Sequence, residues 1–265
     1  MSCARGKNKA VYHHIRNFVH LVSTPVGNEK RRKAIGNILS PNNEFNEKEL
    51  IEIWKGLYYA IWYTEVAKCE ELIYDVAYGC RYPNEKAYLI AGFKLLAREW
   101  MGIDFYRVDK YALLVRHMVN RSLRIAILES DPRDFEFLDE IFQTSQKSVE
   151  LCNHIIEVYL DELKNVTMRQ VIWNPEEKSD VYVNAIKPVI KIMSTSTDSR
   201  VMSTIKEYIF IEMQAFLSSD CESKWQDRFY QNIFKELLNA GKGEEICLKN
   251  RKALFDTASL FKESC

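Results

Sequence analysis

Apolar residues recur at helical spacing from one end of this chain to the other, and little interrupts them. Nine glycines and six prolines in 265 residues are too few for a turn-dense all-β protein, whereas Leu, Ile, Lys and Glu fill the periodic stretches. The chain therefore reads as all-α, divided into about a dozen helices of roughly 15 to 25 residues. Short connections predict antiparallel helix hairpins laid side by side, an α-solenoid of the HEAT or armadillo kind, although no clean repeat consensus accompanies the pattern. Without a low-complexity linker, the expected organisation is a basic N-terminal tail over residues 1–10 and a single helical-repeat domain over 11–265.

The clearest helix start is Phe45-Asn46-Glu47-Lys48-Glu49-Leu50. Asn46 can accept the Glu49 amide proton while Glu49 reaches back to the Asn46 amide, with Phe45 stapled onto Leu50. Asp104 is positioned to cap a helix running to about residue 128, Asp131-Pro132 sets a capping acid before a proline at the first helical position, and Ser148 opens a further helix. Pro41, Pro83, Pro175 and Pro188 mark breaks or kinks.

Formal charge is zero, with 37 basic and 37 acidic residues. Their distribution is uneven, basic before residue 131 and acidic after it, a polarity suited to holding phosphate on one side and basic protein on the other. Seven cysteines form no Cys-x-x-Cys pair, which fits a reducing compartment and buried thiols. Only Cys152 and His154 lie near one another, too few ligands for zinc. No apolar run approaches the ~20 residues that cross a bilayer, and the first residues lack the apolar core of a signal peptide. With no glycine-rich phosphate loop and no nucleophile beside a base, the expectation is a soluble, intracellular, noncatalytic protein with no cofactor, metal, membrane or small-molecule substrate.

Two segments set tryptophan beside charge and glycine: Trp54-Lys55-Gly56-Leu57-Tyr58-Tyr59, and Arg98-Glu99-Trp100-Met101-Gly102-Ile103-Asp104 running on to Arg107-Val108-Asp109-Lys110-Tyr111. In the first, a 100° step places Leu50, Trp54, Leu57, Tyr58 and Ile61 on a core face and Glu52, Lys55, Gly56, Tyr59 and Tyr63 on the other. A helix-interior glycine costs about 0.5 to 1 kcal/mol relative to alanine, so Gly56 predicts close approach of another helix or of a partner. Lys55, Tyr59 and Tyr63 are the candidate binding edge. In the second, Gly102 is expected to end a helix in the left-handed conformation. The following helix is expected to bury Phe105, Val108, Ala112, Val115, Val119, Leu123 and Ala126. Arg107, Lys110, Arg121 and Arg124 then share a neighbouring face, either as a track for a phosphate backbone or as a solvated or acid-paired row. Lys30, Arg31, Arg32 and Lys33 are a second candidate RNA-binding cluster, or the exposed first turns of a helix. Glu157, Asp161 and Glu162 are candidates for contact with a basic protein.

These spaced motifs, with Tyr159-Leu160-Asp161-Glu162-Leu163, Ile186-Lys187-Pro188, Thr197-Asp198-Ser199 and Ile209-Phe210, resemble the eukaryotic ribosomal RNA-processing protein 1 family over roughly residues 15 to 215. The resemblance implies a nucleolar, hence nuclear, scaffold bound to precursor large ribosomal subunits, to other assembly factors and to pre-rRNA, supporting internal-spacer processing. An alternative is a general protein-interaction solenoid, such as a transport or trafficking adaptor, without direct RNA contact; a third, an RNA-modifying or RNA-cleaving enzyme, needs a polar pocket that the sequence does not display.

Overall fold

The computed structural model describes residues 2–24, 27–79, 85–130, 133–168, 173–219 and 225–262, with the side chains of 2–10 and 219 outside the description. Among the described residues every regular element is helical, as the spacing predicts. Two compact units emerge, residues 1–121 and 122–265.

The first unit contains α1 (Ser2–Val22), α2 (Asn28–Ile38), α3 (Glu47–Tyr63), α4 (Val66–Tyr78), α5 (Glu85–Glu99) and most of α6 (Val108–Arg124). Helix α3 begins as its sequence dictates. The Asn46 side chain accepts the Lys48 and Glu49 amides, and the Glu49 carboxylate accepts the Asn46 amide at 2.8 Å. Its apolar face is buried: Leu50, Trp54, Leu57, Tyr58 and Ile61 are all within the core. Helix α3 packs on α1, α5 and α4, and α2 packs on both α1 and α4. Alternate helices thus meet, α1 with α3 with α5 and α2 with α4, as in stacked hairpins. Residues 2–10, expected as a tail, form the first turns of α1.

Two glycines set the spacing around α3. A Cβ on Gly56 would lie 2.9 Å from Phe18 and 3.2 Å from Val19, so the glycine lets α1 close onto the second face of α3. A Cβ on Gly92 would lie 2.5 Å from the Trp54 ring and 2.7 Å from Met118. Trp54 is buried beneath that contact, its ring 4.8 Å from Tyr88 and its Nε1 donating to the Tyr88 carbonyl at 2.7 Å.

The second unit contains α7 (Phe135–Ser145), α8 (Val149–Met168), α9 (Pro175–Thr195), α10 (Ser199–Ile205), α11 (Glu212–Ser219), α12 (Trp225–Gly241) and α13 (Leu248–Ala258). Helix α9 is its hub, packed against α7, α12 and α13, while α8 packs on α10. Asp131 and Pro132 lie outside the described residues, and Asp134 caps α7 by accepting the Phe137 amide at 3.0 Å. Ser148 precedes α8 and accepts from the Leu151 amide at 3.4 Å. Asn174 caps α9, with Pro175 at the first helical position. Pro188 does not end this helix, which continues to Thr195. The proline has no amide for the Asn184 carbonyl, and the adjacent Ala185 carbonyl accepts the Tyr159 hydroxyl of α8 at 2.8 Å.

Candidate protein and nucleic-acid interface

The cations singled out in the sequence divide by depth. Lys110 is buried, and its ammonium donates to the carbonyls of Ile61, Trp62 and Thr64 at 2.8, 3.1 and 2.9 Å. An ammonium has three donors, and here all three close the C-terminus of α3, where unpaired carbonyls and the negative end of the helix dipole favour a cation. Burial pulls this ammonium below the ordinary lysine range. Arg31 is buried as well. It donates to Val22 O at 3.2 Å and Thr24 O at 3.1 Å, the end of α1, and to the Thr64 hydroxyl at 3.0 Å. Thr64 joins the two cations, its hydroxyl accepting from Arg31 and its carbonyl from Lys110, while the hydroxyl donates to Ala60 O at 2.6 Å. Neither Lys110 nor Arg31 faces a phosphate track, which corrects both assignments.

Three more cations meet carboxylates. Arg107 pairs with Asp104 and lies 4.4 Å over the Trp62 ring; Arg121 pairs with Glu85 at 2.6 Å; Arg124 approaches Glu129 at 3.9 Å. The expected cationic row on α6 is therefore engaged within the fold. Its sector flanks the buried face instead of opposing it, so long stems reach neighbouring elements before solvent. In the basic cluster of α2, Arg32 bridges to Glu71 at 2.6 Å and Asp75 at 2.5 Å on α4. Lys30 and Lys33 are exposed.

The expected protein-facing residues fare differently. Tyr59 and Tyr63 are exposed and stacked, ring centres 6.3 Å apart. Lys55 is half-buried and pairs with Glu52 at 2.5 Å. On α8, Glu157 and Asp161 are exposed, but Glu162 is buried and accepts from Asn165 at 3.3 Å. One helical step beyond Asp161 rotates that side chain by ~100° toward the core, so Glu162 is not a surface acid.

The corner between α5 and α6 departs most from expectation. Helix α5 ends in a 3₁₀ turn over Trp100–Gly102, followed by Ile103 in extended conformation at φ −78°, ψ 123°. Gly102 does not adopt the left-handed conformation. Because α6 starts only at Val108, the helical projection does not extend back to Phe105, and this ring is 86% exposed instead of buried. Met101 and Tyr106 are also largely exposed, the Tyr106 ring lying edge-on to Phe105 with centroids 6.0 Å apart. The available signal was the run of large apolar residues just outside the helix.

Among the described residues, no group of three or more His, Cys, Asp or Glu side chains is placed to hold a metal, and no helix is long and apolar enough to cross a membrane. Cys69 and Cys152 are buried, and burial pushes the Cys152 thiol up to about 11.

The class defined by these observations is an all-α protein of packed helices whose polar side chains close helix ends and whose surface carries an aromatic corner. A family model described as nucleolar protein, Nop52, matches residues 28–257, and the chain belongs to that family. Ribosomal RNA processing protein 1 homolog A of Homo sapiens is 29% identical over 178 residues, 63% of this chain and 37% of that protein. The ribosomal RNA processing protein 1 homologs of Caenorhabditis elegans and Dictyostelium discoideum are 26% identical over 250 residues and 25% over 268, covering 85% and 84% of this chain and 60% and 53% of their own lengths. The chain thus spans little more than a third of the first of these relatives. These matches agree with the family resemblance carried by the spaced tryptophan motifs.

Proposed function

We propose that this chain is a noncatalytic ribosome-biogenesis factor of the nucleolus, stacking its helix hairpins as a solenoid scaffold in precursor large ribosomal subunits and supporting internal-spacer processing of pre-rRNA. The observation that carries the reading is the family match over residues 28–257, together with relatives named as ribosomal RNA processing proteins. The geometry gives it a physical form. Packed helices hold their surface side chains in fixed relation, which is what a scaffold needs to order flexible partners. Engagement of Arg31, Arg32, Lys110, Arg107, Arg121 and Arg124 within the fold shifts the weight of recognition from RNA backbone toward protein surfaces. Lys30 and Lys33 of α2 remain the outward-facing candidates for phosphate, and Glu157 and Asp161 for a basic assembly factor.

Incubation of the purified chain with precursor RNA and divalent metal, and separately with precursor particles, tests the reading. Stable association with particles and intact RNA is the expected result. Metal-dependent RNA cleavage abolished by a point substitution overturns it.

A further inference from the structure

Helix α8 and the stretch from α10 to α11 lie side by side and run the same way. Arg200 at the start of α10 meets Glu150 at the start of α8 at 3.4 Å, and Lys164 near the end of α8 lies 5.0 Å over the Phe216 ring of α11. Between these two contacts the chain passes through a π-helical segment, Lys206–Ile211, a rare geometry that recurs at functional sites. Thr204, Tyr208 and Glu212 stand four apart between Arg200 and Phe216, so they share the edge that borders α8. At 3.6 residues per turn a four-residue spacing drifts ~40° per step, and the wider π turn takes up part of that drift. Opposite this edge α8 exposes Glu157 and Asp161. One surface strip results, with Tyr208 and Ile211, 39% and 46% exposed, standing among Glu157, Asp161, Glu207 and Glu212.

The strip is acidic when every neighbouring charge is counted. Helices α7 and α8 and residues 198–216 carry ten acids, against seven cations even with Lys147, Arg169, Lys191 and Lys249 at the margins included. Several of these cations are spoken for. Lys191 is held by Asp139 of α7 at 2.5 Å, and Arg200 by Asp198 as well as Glu150. The other cations of α9 are turned elsewhere, Lys178 over Trp225 and Lys187 onto Glu236 at 3.1 Å. Among the described residues Glu157 meets only His154, at 3.5 Å, and Glu207 and Glu212 meet no cation. Such a field repels phosphate and favours a cationic protein partner. Apolar side chains flanked by unpaired acids are the complement of an amphipathic basic helix.

We infer that this strip seats an amphipathic basic segment of another protein, its apolar side chains covering Tyr208 and Ile211 and its lysines or arginines meeting Glu157, Glu207 and Glu212. The inference rests on the assembly reading above and names the surface through which the scaffold holds a basic neighbour.

The test places a photoreactive benzoylphenylalanine at position 208 of the full chain within native precursor particles, with and without the charge reversals Glu157→Lys, Glu207→Lys and Glu212→Lys. The expected crosslink maps to a protein segment with lysine or arginine beside apolar residues at helical spacing. Charge reversal lowers the crosslink yield per particle-bound chain by about tenfold or more at unchanged melting temperature. If the reversal lowers the melting temperature, the same three positions changed to Gln replace it, with a loss of about threefold or more expected. Crosslinks to RNA, to a second copy of this chain or to a segment without basic residues overturn the inference. So does an unchanged yield in the variants, or no crosslink at all, while the chain is present in the particles. Absence of the wild-type chain from the particles overturns the assembly reading itself, and the basic partner with it.

Discussion

The side chains that matter most in this molecule are split between holding helices together and facing outward. Trp54 belongs to the first group, buried against Tyr88 with its indole proton donated. Trp54→Ala should lower the unfolding free energy by about 3 to 5 kcal/mol. Adding one methyl opposite it, Gly92→Ala, should lower it by about 1 to 3 kcal/mol through overpacking. Chemical denaturation checks both. Lys110 gives a sharper contrast. Lys110→Met strands three carbonyls at the end of α3 and should cost about 2 kcal/mol, whereas Lys30→Ala and Lys33→Ala should each stay within about 0.5 kcal/mol. Sequence reasoning recognised the burial of Trp54 and the close approach at Gly56 because both follow from period and sterics. It placed Lys110 and Arg31 on the surface, since charge usually stays in water and nothing local marks a cation as the cap of a helix distant in sequence.

Helix starts were the most legible elements. The Asn46 box and the Ser148 start depend on contacts within a few residues, and such contacts are written in the sequence; Pro175, read only as a break or kink, is the first residue of α9 behind the Asn174 cap. Asn46→Ala should destabilise by about 1 kcal/mol. Helix α10 adds a pH dependence. Asp198 accepts the Arg200 amide at 2.8 Å and pairs with its guanidinium at 2.9 Å, which holds its carboxyl below the usual carboxylate range. A carboxyl depressed in the folded state contributes stability that is complete above its unfolded pKa, near 4, and is lost as pH falls through the folded value. Melting temperatures from neutral pH downward should therefore converge between wild type and Asp198→Asn, which retains the cap without the charge. The α5–α6 corner was not legible, because the helix was projected back to Asp104 and carried Phe105 into the core; a 3₁₀ ending and a start at Val108 undo that projection.

At the scale of the whole molecule, an all-α chain of the Nop52 family presents packed helices whose strongest cationic candidates are already engaged inside the fold. On the proposed scaffold reading, its role depends on what its surface holds together. The spaced tryptophan motifs conveyed the family, whereas the burial of Lys110 and Arg31 and the exposure of Met101, Phe105 and Tyr106 emerged only from the fold. The most direct measurement is gradient sedimentation of the tagged chain from cells, probed for precursor large-subunit RNA in each fraction. Co-sedimentation with particles that contain internal-spacer precursor is the predicted result; a chain confined to the light fractions while those particles sediment normally would contradict the scaffold account.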